Sequence, residues 1–236
     1  MTSRFRWAQL QISLFGNPDR KIQNPKDVDT ELKKLEGAAT VAGERDLNNA
    51  YANIFERNTP RGEIEKAHAK KAYQLMLASR EFNKRLSITA LTQAVAFDEN
   101  SHDVDEQVNE DYVLNLCRDF VVLINGYTLK YGEKHNWYAE HLNIPEFAHV
   151  SVKDYLQGTG EGSLISDDYS RVPCLAQMTK TCIGCLRVFD SSLAPIYAFS
   201  GSLPGFDHFQ VYATRYWGEY CAKLSESERA SWGGCF

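Results

Sequence analysis

Apolar residues recur at helical spacing along the first part of the chain. Five of them follow the i, i+3, i+4, i+7, i+8 pattern of one helix face: Leu47, Ala50, Tyr51, Ile54 and Phe55. Similar apolar stripes lie within residues 5–15, 28–35 and 69–77. Thr59-Pro60-Arg61-Gly62 interrupts the pattern. The sequence therefore predicts an N-terminal region built of helices.

A second group of patterns predicts three helices followed by a β-hairpin. After the stripe at 69–77, Ser87 and Asn109 each precede an apolar periodic segment and are expected to cap its helix. The segment 121–131 has apolar residues on both sides of Asn125-Gly126, which predicts a tight turn there. Residues 132–145 then read as a polar insertion. Three helices and a β-ribbon are the plan of a winged helix.

These patterns together predict a mainly α fold with a small β-hairpin, or wing. The expected organisation is a helical domain, a winged-helix domain and C-terminal helices. The predicted boundaries are 1–62 for the helical segment, 63–157 for the winged helix, 158–169 for a glycine-rich linker and 170–236 for the C-terminal helical segment. Because Ser225-x-x-Glu228 predicts one more helix close to the last residue, we expect this segment to be truncated.

The segment 147–156 carries the main candidate site. Ser151 stands three residues before Asp154 and precedes an apolar pair, a pattern that favours Ser151 as a helix N-cap. His149 would then lie two residues before the helix start, where backbone donors favour an anion. Spacing alone leaves two interpretations open: His149 contacts a phosphate, or it packs between a strand and the helix.

The composition is that of an ordinary globular protein. The 236 residues are 43% hydrophobic and 24% charged, without an apolar run as long as a membrane span or a signal-peptide core. We therefore expect an intracellular, cytoplasmic protein. Four of the six cysteines fit apolar helical patterns, as buried free thiols do: Cys117, Cys182, Cys185 and Cys221. Cys182 and Cys185 form a lone CxxC, so a metal or redox role there is a weaker hypothesis.

Charge distribution bears on nucleic-acid binding. Residues 87–120 carry eight acidic side chains and one basic one, Arg118. The helix expected to read DNA in a winged helix, 111–119, falls within this acidic stretch. Six basic residues lie on the preceding segment, at Lys66, Lys70, Lys71, Arg80, Lys84 and Arg85. A winged-helix DNA-binding protein remains an alternative, although we expect no nucleic-acid partner.

Motifs for catalysis are missing from the sequence. It contains no GxxxxGK[ST] phosphate loop, no GxSxG nucleophile elbow and no HExxH zinc motif. His135 and His141 are six residues apart, which is not the spacing of a zinc pair. We therefore expect no catalytic residue, no metal ligand, no membrane association and no enzymatic activity.

Five segments in a fixed order resemble fungal NACHT proteins, the NLR-like STAND ATPases that often carry ankyrin repeats. The segments are Phe5–Ile12, Leu47–Ile54, Asp111–Cys117, Phe147–Leu156 and Tyr212–Trp217. The resemblance covers the part of such a protein that follows its nucleotide-binding core. It implies that Arg4–Phe15 closes that core, Val28–Arg57 is a small helical domain, Ala67–Gln157 is the winged helix, and 170–232 leads towards the repeats.

The resemblance also implies a role for His149. It matches the winged-helix histidine that contacts the β-phosphate of bound ADP and holds the closed, inactive state. The implied function is a non-catalytic regulatory and interaction module of a NACHT switch, with the NACHT core in cis or in trans as partner, or with self-association. This chain alone would need no cofactor, since ADP or ATP is implied only with an intact core. The chain lacks the P-loop, the Walker B acids and the ankyrin pattern, so a fragment or degenerate paralogue is the other alternative.

Overall fold

The structure is a computed structural model that describes residues 43–131, 137–158, 167–190 and 207–226. These residues form seven α-helices and one two-stranded antiparallel sheet. The elements, in chain order, are α1 Gly43–Asn58, α2 Glu63–Glu81, α3 Ile88–Ala96, α4 Glu110–Cys117, β1 Val121–Tyr131, β2 Trp137–Phe147, α5 Val150–Leu156, α6 Arg171–Asp190 and α7 Asp207–Ala222, with short 3-10 turns at Arg118–Phe120 and Asp167–Tyr169.

The predicted fold class, mainly α with a small hairpin, is confirmed. The helices predicted within 4–15 and 28–35, most of the linker, His135 and Glu228 lie outside the described residues. Across the described ranges, none of the helices combines the length and apolar character needed to cross a membrane. The winged-helix assignment and the segment boundaries at 62, 157 and 169 remain predictions.

The contacts divide the chain into two units. In the described residues, the first unit contains α1 up to Arg57 together with residues 149–158. The second unit contains 58–148 together with 167–190 and 207–226. Each unit has its own buried residues, such as Tyr51 and Leu156 in the first and Leu75 and Met178 in the second.

Helix α2 is the centre of the second unit. Nearly every residue from Ala69 to Ser79 is buried, so the helix is covered on several sides rather than along one stripe. It packs against α6, α4 and α3, while α7 packs against α6 and α3. The core of this unit therefore lies around α2 and α6.

Two predicted helix caps in the second unit are confirmed. The Ser87 hydroxyl accepts a hydrogen bond from the Ala90 amide at 3.1 Å and begins α3. The Asn109 side-chain oxygen accepts from the Tyr112 amide at 2.9 Å and begins α4. Each cap satisfies a backbone donor that the first helical turn leaves without a partner, and this fixes where the helix begins.

The predicted turn at Asn125-Gly126 is wrong. Both residues lie inside β1, opposite Asn143 and Leu142 of β2, and the pairing runs from Val121–Phe147 to Tyr131–Trp137. Residues 137–145, expected to be a polar insertion, are therefore strand. The physical reason lies at Gly126, because a Cβ added there would collide with the side chain of Ile144. The glycine makes room for a neighbour across the ribbon and does not form a turn.

Candidate functional site

Helix α5 begins at the predicted candidate residue. His149 has an extended backbone, with φ −153° and ψ 155°, and its Nδ1 accepts a hydrogen bond from the Ser151 amide at 3.2 Å. The prediction that Ser151 is the N-cap is therefore wrong. Because the helix already includes Val150, Ser151 lies in its first turn and supplies the amide that His149 caps.

The Ser151 hydroxyl joins this cap to helix α1. Its Oγ lies 2.6 Å from His149 Nδ1 and 2.7 Å from the phenolic oxygen of Tyr51. Tyr51 is fully buried, and its ring packs against Tyr155 with centroids 5.4 Å apart. The beginning of α5 is thus fixed to α1 by a chain of three polar side chains and by an aromatic contact. We call His149, Ser151 and Tyr51 the histidine cap cluster.

The chemistry of this cluster is that of an anchored cap. A serine hydroxyl at hydrogen-bond distance from an imidazole is also the first element of a nucleophile and base pair. Here the Nδ1 lone pair accepts a hydrogen bond from the Ser151 backbone amide, so it is engaged in capping α5 as well as lying next to the hydroxyl. His149 is half-buried and is followed by Val150, which is 62% exposed, so the cluster lies near the surface.

One member of the histidine cap cluster, Tyr51, is not indicated by the sequence pattern. Tyr51 belongs to the apolar stripe of α1 and reads as an ordinary core residue, because its partner Ser151 is 100 residues further on. Only the fold brings the two hydroxyls together. Local pattern carries no signal for such a pair.

The CxxC pair is explained by packing. Cys182 and Cys185 are fully buried in α6, and burial raises the pKa of the Cys185 thiol to about 12 and that of Cys182 further still. Between them, Gly184 leaves space for Phe97, since a Cβ at this position would lie 2.9 Å from Phe97 Cε1. Burial therefore keeps both thiols protonated, which makes them poor nucleophiles and metal ligands. Within the described ranges, no group of three or more His, Cys, Asp and Glu side chains could hold a metal ion.

The six basic residues singled out in the sequence all form ion pairs with carboxylates in the second unit. The pairs are Lys66–Glu63 at 2.7 Å, Lys70–Asp168 at 2.8 Å, Lys71–Glu99 at 2.6 Å, Arg80–Glu146 at 2.8 Å, Lys84–Glu219 at 3.6 Å and Arg85–Glu146 at 3.2 Å. A phosphate approaching this surface would have to compete with a carboxylate at every cation. On α4 and its 3-10 extension, Asp111 and Asp119 are exposed.

The proposed family has no independent support beyond the segment order. Four of the five segments that carry the resemblance lie in α1, in α4, from the last residue of β2 to the end of α5, and in α7, and Phe5–Ile12 falls outside the described residues. Comparison with protein-family models, with curated proteins and with solved structures gives no match for this chain. The NACHT resemblance therefore stays a hypothesis.

Proposed function

We propose that the chain is a non-catalytic regulatory and interaction module of a NACHT-type STAND switch. In this proposal, His149 contacts a phosphate of ADP bound to a NACHT core and thereby stabilises the closed state. The observation that carries the proposal is the histidine cap cluster. A residue that senses a phosphate has to be held in one orientation, and the Ser151 amide, the Ser151 hydroxyl and Tyr51 hold this imidazole through Nδ1.

The proposal leaves most of the nucleotide site to the partner. The sequence has no phosphate loop, so His149 is the one residue of this chain that we assign to the nucleotide. ADP affinity would come from the NACHT core, and this chain would bias the equilibrium between its closed and open states. We place this partnership in the cytoplasm, with the core in cis or in trans.

The charge arrangement favours a protein partner over DNA. Binding to DNA gains free energy when lysines and arginines displace condensed counterions from phosphates. The six basic residues are already paired with five carboxylates within 4 Å, since Arg80 and Arg85 share Glu146, and α4, the expected recognition helix, exposes Asp111. A DNA phosphate would be attracted only weakly to the paired basic residues and would be repelled by Asp111 on α4.

The proposal is tested by measuring association with a NACHT core. The full chain, carrying a fluorophore, is titrated with a purified fungal NACHT core that lacks its own winged helix, once loaded with ADP and once free of nucleotide. We expect saturable binding that is tighter with ADP. His149→Asn should reduce this preference, because asparagine can still cap α5 but has no imidazole.

Two controls make the result specific. Val150→Ala changes the exposed neighbour of His149 and should bind the core as the unaltered chain does. A random DNA duplex titrated at two salt concentrations should bind weakly. Tight duplex binding with a steep salt dependence, or core binding that is independent of ADP, would contradict the proposed function.

A further inference from the structure

The hydrogen-bond register of the β-ribbon shows which backbone groups of β1 point away from β2. The Ala148 amide donates to the Phe120 carbonyl at 2.9 Å. These two residues face each other, because the pair lies one position beyond the Val121–Phe147 pair of the ladder. Hydrogen-bonded and non-hydrogen-bonded pairs alternate along an antiparallel ladder. Since the Phe120 pair is hydrogen-bonded, the Val121 pair is not, and the alternation continues along the ribbon.

Every second residue of β1 therefore directs its N–H and C=O groups away from β2. The first three such residues are Val121, Leu123 and Asn125. Pro145 agrees with this assignment, because it lies opposite Leu123, where the missing proline N–H breaks no bond between the strands. We call the outward-directed backbone groups of Val121, Leu123 and Asn125 the outer edge of β1.

The outer edge of β1 carries backbone donors that are not used in the fold described above. The Val121 amide donates to the Arg118 carbonyl. In the ranges that the structure describes, the amides of Leu123 and Asn125 have no acceptor. The Leu123 side chain is 40% exposed, and Asn125 is exposed as well. Unpaired N–H and C=O groups at a sheet edge form a template for another strand.

The opposite edge of the ribbon, along β2, is unsuited to a further strand. Pro145 has no N–H to donate at its outward position. Ile144, Glu146 and Phe147 are buried, and β2 packs against α3 in the same unit. A further strand can therefore join the ribbon at β1.

We propose that the outer edge of β1 binds the same edge of a second copy of this chain. A two-fold axis between two identical strands makes them antiparallel, and the two ribbons then form one four-stranded sheet. β1 is 11 residues long, roughly twice the usual strand length of about 5–6 residues. A two-stranded ribbon gains stability when further strands join it.

The sequence along the edge favours a second copy over a charged partner. Residues 120–129 contain no charged side chain and no proline. A charged peptide finds no counter-charge along this stretch, whereas two identical uncharged strands pair without repulsion between like charges. Leu123 and Asn125 each offer one donor and one acceptor, so the edge is self-complementary in the antiparallel orientation.

Residue-resolved hydrogen exchange on the full chain tests the pairing directly. Exchange is followed by mass spectrometry with electron-transfer fragmentation at about 10 μM and at about 300 μM protein, a range that suits a small interface. We expect the Leu123 and Asn125 amides to exchange about tenfold more slowly at the higher concentration. The Val122 and Ile124 amides, which face β2, should exchange at the same rate at both concentrations.

Lysine substitutions test whether the edge itself carries the association. Leu123→Lys and Asn125→Lys each place like charges on the two paired strands and should weaken association at least about tenfold, measured by sedimentation velocity. Ile64→Lys is the matched control, because Ile64 is 69% exposed on α2 in the same unit, and it should associate as the unaltered chain does. Circular dichroism checks folding, and Asn125→Lys decides the outcome if Leu123→Lys does not fold.

Three results would overturn the proposal. The first is exchange of the Leu123 and Asn125 amides that is the same at both concentrations, and the second is association that both edge variants retain. The third is protection of these amides that depends on adding another protein, which would assign the edge to that protein. None of these measurements contains nucleotide or a NACHT core, so their outcome is independent of the proposed function.

Discussion

Replacing Glu99 by glutamine should expose the cost of a buried ammonium group. Lys71 lies on α2 with its side chain 11% exposed, and its Nζ pairs with Glu99 Oε1 at 2.6 Å. The Phe97 carbonyl also accepts from Lys71, while Gln177 donates to Glu99 at 2.9 Å and Thr181 donates to it as well. Glu99→Gln keeps the size and much of the hydrogen bonding but removes the carboxylate that pairs with Lys71, which leaves Asp98 as a more distant acidic neighbour.

The magnitude has an upper limit that depends on pH. Desolvation lowers the pKa of Lys71 from its ordinary 10.5 even with Glu99 present. Without Glu99, the group can escape the desolvation penalty by losing its proton, so the penalty cannot exceed the cost of deprotonation. At pH 7 this cost is about 5 kcal/mol, since 3.5 pH units each contribute about 1.4 kcal/mol. At pH 9 the limit falls to about 2 kcal/mol.

The sign of the pH effect follows from proton binding. The unfolded state holds the Lys71 proton more tightly than the folded variant does, so the stability of Glu99→Gln should rise relative to the unaltered chain as the pH approaches 10.5. We expect a loss of about 3 to 5 kcal/mol at pH 7 and at most about 2 kcal/mol at pH 9.

The assay is guanidinium unfolding followed by far-ultraviolet circular dichroism at both pH values. The double variant Lys71→Met/Glu99→Gln removes the stranded charge and should recover most of the loss at pH 7. A loss that is the same at pH 7 and pH 9, or a double variant no more stable than Glu99→Gln, would show that the Lys71 charge does not cause the loss.

Three further predictions follow from the described contacts. Gly184→Ala should lower the free energy of unfolding by about 1 kcal/mol because its Cβ meets Phe97, whereas Gly218→Ala, with open space around it, should raise it by up to about 1 kcal/mol; denaturant midpoints that shift in the same direction would contradict this. Burial raises the pKa of three thiols, Cys117, Cys174 and Cys185, from 9.0 to about 12. The folded state is therefore favoured fully below pH 9, and its free energy of unfolding falls above pH 9 by up to about 1.4 kcal/mol per thiol and pH unit. Equal stability at pH 8 and pH 10 would count against this. His149→Ala should cost about 1 kcal/mol through loss of the α5 cap, and His149→Asn only a few tenths, as measured by thermal unfolding; equal losses would show that the imidazole does more for stability than capping.

Local signals in the sequence predicted the parts of the fold that local physics determines. Ser87 and Asn109 cap the helices that they were expected to cap, because a cap needs only a polar side chain and the next turn of backbone. The predicted turn at Asn125-Gly126 was wrong because the role of Gly126 depends on a contact that is not local. The residue that explains Gly126 is Ile144, which lies 18 positions away and becomes its neighbour only when the ribbon forms.

The candidate site shows the same division. Sequence reasoning selected His149 and the correct region for the start of α5, but assigned the cap to Ser151. Serine is a more common N-cap than histidine. The sequence near His149 does not show that its backbone is extended and that its Nδ1 therefore accepts from the Ser151 amide. Tyr51 could not be selected, because its role depends on a contact between α1 and α5 across 100 residues.

In the proposed function, His149 helps to retain ADP in a NACHT core. The most direct test loads the core with a fluorescent ADP analogue, adds the full chain and follows release after a chase with unlabelled ADP. We predict that the unaltered chain and Val150→Ala slow release equally, and that His149→Asn gives release about tenfold faster, as expected for one lost hydrogen bond to a charged phosphate. The same release rate with His149→Asn as with the unaltered chain would show that His149 does not retain ADP.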